Sequence, residues 1–215
     1  VTTSVYFDLD GTLLEYTRPF DEIFADVMPA GVDVTESMAA AYSERVLAGL
    51  DDLEDDPYEQ AFAAICREYD VSADPAALAA ERVRTEVAAT RVPESVRRLV
   101  ELVARDHDVG ILTNGDGRMQ RRKLEVHGLD DLVDTIVVSN EFGARKPAPE
   151  LFEHAKSELP AETFVYVGDS LEEDVLPARE HGFETVYVGN EHPPETTLTV
   201  STVEDLATVL GPLLD

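Results

Sequence analysis

The sequence predicts an α/β protein, a doubly wound parallel sheet that carries an inserted α-helical subdomain. Three observations predict it: short β-rich apolar runs that each stop at a polar turn, helical patterns between those runs, and one connection far too long for a simple crossover.

The first run, Ser4-Val5-Tyr6-Phe7, stops at Asp8-Leu9-Asp10-Gly11-Thr12 and reads as a buried strand ending in a polar turn. A parallel crossover needs about a dozen residues and its helix, yet the next strand-like run begins only at Val109. Between them, Phe20, Ile23, Phe24 and Val27 fall at i, i+3, i+4 and i+7, as do Phe62, Ile65, Cys66 and Tyr69, and Tyr42, Val46 and Leu50 keep the same stripe. Residues 15–91 are therefore expected to form a helical subdomain, and residues 1–14 and 92–215 the α/β core. The insertion lies beside the C-terminal end of the first strand, the edge where α/β folds bind ligands. Its acidic stretch Asp51-Asp52-Leu53-Glu54-Asp55-Asp56 lacks the glycine and spacing of a calcium loop, so a solvated loop is expected.

Downstream the rhythm is regular. A helix over Ser95 to Arg105 leads to the strand Val109-Gly110-Ile111-Leu112, which ends at Thr113-Asn114. Asn114-Gly115 and Asp116-Gly117 have hairpin composition, but the helical pattern over Arg118 to His127 argues for a strand-to-helix turn with Asp116 as N-cap. The strand Thr135 to Val138 ends at Ser139-Asn140 and precedes a helix over Pro149 to Glu158. Phe164 to Val167 ends at Gly168-Asp169 and precedes a helix over Leu171 to His181, where Ser170-Leu171-Glu172-Glu173 fits a capping box. Glu172 and Glu173 are accordingly assigned to the electrostatics of a helix start. A strand at Thr185 to Val188 and a helix from Val203 to Leu210 complete the series.

Composition excludes several classes. The chain has 215 residues, 44% of them hydrophobic, with 17 Lys+Arg against 45 Asp+Glu and a net charge of -28. A basic nucleic-acid-binding face is ruled out. No apolar run reaches the roughly 18 to 20 residues that span a bilayer, and the first residues lack a signal-peptide pattern, so no membrane association and a cytoplasmic location are expected. Cys66 is the only cysteine, which denies the chain an internal disulfide or a thiolate zinc site. The carboxylates are spread along the whole chain between well-formed apolar segments, a pattern expected of a halophilic protein whose self-repulsion is screened by molar salt.

The polar punctuation after successive strands is chemically coherent: Asp8 and Asp10, then Thr113, then Lys146, then Asp169 with Asp174. In a parallel sheet these loops emerge on one edge, and the period of two points Asp8 and Asp10 the same way. Converging carboxylates repel one another unless a hard cation lies among them, and an all-oxygen set favours Mg2+. Lys146 adds a second positive charge, which makes a dianionic phosphate the natural occupant.

These residues carry a resemblance. Asp8-Leu9-Asp10-Gly11-Thr12, the strand ending at Thr113-Asn114, Lys146-Pro147-Ala148-Pro149 and Gly168-Asp169-Ser170-Leu171-Glu172-Glu173-Asp174 resemble the four ordered motifs of the haloacid dehalogenase superfamily, with its Rossmann-like core. The resemblance implies that Asp8 is a nucleophile forming an aspartyl-phosphate and Asp10 a general acid and then base. It implies that Thr113 and the Asn114 backbone bind the phosphoryl oxygens, with Lys146 stabilising charge. It also implies Mg2+ held by Asp8, the Asp10 carbonyl oxygen and Asp169, with Asp174 a ligand, directly or through water, or a residue that orients the other ligands. The inserted helices resemble the family's α-helical cap, which closes over the site and selects the substrate.

The expected activity is Mg2+-dependent hydrolysis of a small phosphorylated metabolite, a phosphate monoester. Asp10 argues against the dehalogenase branch, where that aspartate is typically replaced because halide needs no proton. A phosphonate-cleaving branch uses a cap lysine, and no lysine precedes Lys123. Two alternatives stay open: a sugar phosphomutase, although these often carry Val where this chain has Thr12, and a non-catalytic phosphate-binding protein of the same fold. The five histidines show no paired spacing suited to zinc, and no glycine-rich nucleotide loop follows a strand. Arg18, just past the first motif, reads as a surface arginine at the entry to the insertion, with a contact to substrate as the alternative.

Overall fold

The structure, a computed structural model, describes residues 2–191, 196–202, 205, 206, 209 and 210. Along the chain the elements are β1 (Thr3–Phe7), β2 (Glu15–Tyr16), α1 (Phe20–Val27), α2 (Glu36–Asp51), α3 (Pro57–Glu68), α4 (Pro75–Ala88), β3 (Thr90–Arg91), α5 (Glu94–Val103) and β4 (Asp108–Thr113). They continue as α6 (Gly117–His127), a single 3-10 turn (Asp130–Leu132), β5 (Thr135–Val138), α7 (Ser139–Phe142), α8 (Pro149–Glu158), β6 (Thr163–Gly168), α9 (Leu176–Glu180), β7 (Glu184–Val188) and β8 (Leu198–Val200). Val203, Glu204, Ala207 and Thr208 of the expected last helix, and His192, lie outside the described residues.

Six strands form one sheet in the order β5-β4-β1-β6-β7-β8, and every pairing in it is parallel. Strand parity explains the two covered faces. Val5, Phe7, Val109, Ile111, Val165 and Val167 point into one cluster with Val96, Leu99, Val100 and Val103 of α5. Tyr6, Leu112 and Tyr166, of opposite parity, enter another with Leu151, Phe152 and Ala155 of α8 and Ala178 of α9. β1 runs through the middle of the sheet, so Asp8 and Asp10 emerge between the ends of β4 and β6.

Helices α1 to α4 form a separate packed group whose centre is aromatic. Phe24 and Tyr42 stack with ring centroids 4.6 Å apart, and Tyr42 and Phe62 lie 4.5 Å apart. Met119 of α6 also packs into this cluster and ties it to the core. At the neck, β2 pairs antiparallel with β3 through Glu15↔Arg91 and Tyr16↔Thr90, so the two crossing segments run side by side. Among the described residues no helix is long and apolar enough to cross a membrane.

Two expectations need correction. The helix foreseen over Leu171 to His181 is present but changes type along its length. Its first turn is π-helical, with Val175 N–H donating to Ser170 O at 3.1 Å, and α9 starts only at Leu176. Helical backbone runs on through Val175 and Leu176, whose N–H donates to the Leu171 carbonyl, and the wider π-helical turn accommodates Pro177, which has no N–H to donate. The acidic stretch is not simply a solvated loop. Asp51 closes α2 and ion-pairs with Arg145, Glu54 pairs with Arg45 at 3.2 Å, and the Glu54 carbonyl accepts from Asn140 Nδ2 at 3.3 Å. Arg145 and Asn140 belong to the core, so this segment clasps the helical group onto it.

Candidate active site

The four polar punctuations meet at one edge of the sheet. Asp8 follows β1, Thr113 closes β4, Asp169 follows β6, and Asp174 sits in the π-helical turn beyond it. Lys146, between α7 and α8, reaches in from the side. Its backbone N–H donates to Asn114 Oδ1 at 2.8 Å, and Asn114 Nδ2 donates to the Lys146 carbonyl at 3.0 Å, so one side chain pins both ends of that residue. Asn114 Nδ2 also donates to Glu173 Oε2 at 3.0 Å, and Arg145 Nη2 pairs with Glu173 Oε1 at 2.9 Å. Only half of the expected capping box is therefore made: Ser170 Oγ accepts from Glu173 N–H, while the Glu173 carboxylate braces Asn114 and Arg145. Lys146, expected from sequence to bring positive charge to this edge, is 2% exposed.

Lys146 Nζ stands 2.7 Å from Asp8 Oδ1, 2.5 Å from Asp174 Oδ1 and 3.0 Å from the Tyr166 hydroxyl. Burial depresses the ammonium's affinity for its proton, but Asp174 and Asp8 outweigh it, and the group stays charged well above its ordinary range. The opposite balance holds at Asp8. Burial, with Asp174 and Asp169 nearby, pushes its carboxyl well above the usual value despite Lys146. Asp8, Asp169 and Asp174 each bring one carboxylate oxygen within 4.8 Å of the others. The set is all hard oxygen and under-neutralised by a single ammonium, which fits a divalent cation such as Mg2+.

Two glycines make room for these carboxylates. Gly11 has φ +89°, and a Cβ there would lie 2.2 Å from Asp169 Oδ2; a Cβ on Gly168 would lie 2.5 Å from Asp174 Oδ2. Gly11→Ala is expected to cost about 1–2 kcal/mol from the left-handed backbone alone and to displace Asp169. A fall in thermal midpoint accompanied by a raised Mg2+ requirement in an activity titration is the expected result; an unchanged Mg2+ requirement would refute the contact.

Asp10 is held separately. Its carboxylate accepts from Gln120 Nε2 at 2.7 Å and from Lys123 Nζ at 2.9 and 3.0 Å. Burial raises its pKa, but the Lys123 charge and the hydrogen bonds from Gln120 and Lys123 prevail and hold it below the usual carboxylate range. Lys123, itself 2% exposed, also contacts Glu86 Oε1 at 3.0 Å and donates to the Tyr16 hydroxyl at 2.7 Å. Tyr16 in turn donates to Glu86 at 2.8 Å. Gln120 Nε2 lies 2.9 Å from Thr113 Oγ1, joining this network to the end of β4.

Tyr16, Glu86, Gln120 and Lys123 were not foreseen from sequence. The available signal was lysine scarcity: only Lys123, Lys146 and Lys156 are lysines, and two of them are buried here. Arg18 lies on the surface, as read, where it pairs with Glu22 and Asp26. Asp116 caps α6 by accepting from Met119 N–H at 2.9 Å.

Beside Asp10 opens a cavity of about 490 Å³. Its core wall includes Asp10, Asn114 and Lys123, and its other wall includes Phe20, Tyr42 and Leu47 of the inserted helices.

A family model described as haloacid dehalogenase-like hydrolase matches residues 3–182. Among curated proteins, the chain is 32% identical over 126 residues to a glyceraldehyde 3-phosphate phosphatase of Methanocaldococcus jannaschii, covering 55% of each. It is 40% identical over 97 residues to a ribulose-1,5-bisphosphate 5-phosphatase of Halopiger xanaduensis, covering 44% of this chain and 41% of that protein. The chain thus spans about half the length of these relatives. Among solved structures, the magnesium-bound HAD-hydrolase YfnB of Bacillus subtilis superposes with a TM-score of 0.74 at 22% identity, covering 98% of this chain and 99% of that one. That likeness speaks to the fold.

Proposed function

The chain belongs to the haloacid dehalogenase-like hydrolases and is therefore an enzyme, a hydrolase, and from that premise we propose that it is an Mg2+-dependent phosphatase acting on small phosphate monoesters through an aspartyl-phosphate. The observation that carries the reading is the buried Asp8–Lys146–Asp174 cluster with Asp169 beside it. The phosphatase names of its curated relatives support it.

In this reading residues 1–14 and 92–215 are the catalytic core and residues 15–91 the cap. Mg2+ would be held by Asp8, Asp169, Asp174 and the Asp10 carbonyl oxygen, and when bound it supplies the charge neutralisation that lets one anion approach another. Asp8 attacks phosphorus as its ester P–O bond breaks, and Asp10 gives its proton to the departing alkoxide. Asp10 then takes a proton from water, whose oxygen attacks the phosphorus of the aspartyl-phosphate, releasing phosphate and restoring Asp8. The Lys123 and Gln120 contacts hold Asp10 ionised, the form needed for that second step. For the first step the Lys123 contact has to loosen so that Asp10 can carry a proton. Thr113 and the Asn114 backbone bind the phosphoryl oxygens, and Lys146 aligns Asp8 and opposes its protonation, a task that bound Mg2+ would share.

The test is a phosphate-release screen over small monoesters with Mg2+ in molar KCl. Free phosphate rather than an isomerised ester is expected, and chelation by EDTA should reduce the rate at least about a hundredfold. Burial and the charge of Asp174 push Asp169 up to about 6. Below that pH a proton competes for its carboxylate, so the half-saturating Mg2+ concentration should rise as pH falls from 7 to 5. A rate indifferent to EDTA would overturn the reading.

A further inference from the structure

The cavity beside Asp10 carries more information than its position. It is walled by aromatic and aliphatic side chains from the cap, and Phe20 and Leu47 on that wall are 50% and 61% exposed. Arg82 of α4 also lines it, yet is 4% exposed. The Arg82 Nη2 stands 2.7 Å from Glu86 Oε2, and the guanidinium lies over the Phe20 and Tyr42 rings at 5.6 and 5.9 Å. Its Nε and Nη1, the Tyr42 hydroxyl and the Glu86 Oε2 are buried and make no hydrogen bond among the described residues; Oε2 still has the Arg82 charge beside it, whereas Nε, Nη1 and the hydroxyl have no such partner. Buried donors are nearly always paired, so three unpaired ones on a single cavity wall mark a place for acceptor atoms of a ligand.

Charge decides which acceptors. The charged residues lining the cavity are Arg82 and Lys123 against Asp10 and Glu86, two of each sign. No positive charge is left over to balance a second phosphate or a carboxylate. Neutral acceptors, such as ring carbonyls, meet the donors without adding charge. Size agrees: about 490 Å³ lies in the range of roughly 300 to 1,000 Å³ that encloses a drug-sized ligand, far more than a three-carbon fragment fills. The exposed Phe20 ring offers a face on which a flat group can stack.

We propose that this chamber receives a flat, aromatic leaving group bearing neutral acceptors, as in a nucleoside monophosphate, and that Arg82 is the residue that selects it. The proposal rests on the phosphatase reading, and its test separates the two. kcat/KM is measured for uridine and adenosine 5′-monophosphates, phenyl phosphate, glycerol 3-phosphate and ribulose 1,5-bisphosphate. The better nucleotide should exceed all the others by about tenfold or more. Arg82→Gln should lower the nucleotide-to-glycerol-phosphate ratio about tenfold, mainly through KM.

Circular dichroism checks that the variant folds. If it does not, Phe20→Ala, at a half-exposed position, should reduce the same ratio severalfold. Preference for glycerol 3-phosphate or the bisphosphate, phenyl phosphate as good as the nucleotides, or a ratio indifferent to Arg82→Gln or, where that variant does not fold, to Phe20→Ala would overturn the proposal while leaving the phosphatase intact. If no ester releases phosphate, the phosphatase reading fails. Calorimetric titration of Asp8→Asn with the two nucleotides then decides the chamber: binding weakened tenfold by Arg82→Gln, or severalfold by Phe20→Ala where the former does not fold, upholds it, and no binding overturns it.

Discussion

Asp8→Asn is expected to lower phosphate release by at least about 10⁴-fold, the scale seen when a covalent nucleophile is removed. The amide is nearly the same size and can still accept a hydrogen bond from Lys146 Nζ, so the contact at 2.7 Å has a successor. What is lost is the negative oxygen that attacks phosphorus in the proposed mechanism. Stability should not fall in parallel. Asp8 is driven toward its neutral form by burial and by Asp174 and Asp169, so a neutral replacement relieves repulsion among the three. The expected thermal midpoint without Mg2+ is equal to or above that of the parent. Turnover within tenfold of the parent would rule out covalent catalysis at this position.

Lys146→Met is expected to damage both rate and fold. The side chain is 2% exposed and lies between two carboxylates, at 2.7 and 2.5 Å. Removing one member of a buried charge cluster leaves its partners uncompensated, at a cost of about 3–5 kcal/mol. The variant should also acquire a distinct pH dependence. Lys146 is what lowers Asp8 against burial and its acidic neighbours, so without it the Asp8 carboxyl rises further. A folded-state pKa above the unfolded value means that stability is present at low pH and lost as pH rises through the folded pKa. Denaturant melts in EDTA should therefore show Lys146→Met approaching the parent near pH 5 and falling away toward pH 8. A constant difference across that range would show that Asp8 does not depend on this ammonium.

The parallel strands were legible because each is buried on both faces and reads as an unbroken apolar run; β5 matches its expected bounds, and the others shift by a residue at one or both ends. β2 and β3, of two residues each, are too short for any periodicity to register, and β8 has only three. The π-helical bonding after Ser170 was not legible because the apolar spacing of Leu171, Val175 and Ala178 signals a helix but not which carbonyl each N–H meets; Pro177, which has no N–H, was the one hint.

In the site, Asp8, Thr113, Lys146 and Asp169 announced themselves by chemical type at the ends of strands. Gln120 and Lys123 did not. They sit within α6 among Arg118, Arg121, Arg122 and Glu125, where they read as part of a polar helix face. Only the tertiary contact of α6 with Asp10 shows that this part of the helix faces inward. The two lysines at the site, Lys123 and Lys146, each lie against carboxylates in the interior, where a compact ammonium fits and a planar guanidinium does not.

The ribbon formed by Glu15, Tyr16, Thr90 and Arg91 brings the start and finish of the inserted helices to neighbouring points. To the sheet, the whole excursion is a closed loop whose length barely matters, since closure entropy grows only slowly with chain length. Such an attachment is modular: helices can be lengthened, traded or recombined above the ribbon while the strand that leads to Asp8 keeps its neighbours. Diversification of what is recognised can then proceed without renegotiating how the bond is cut.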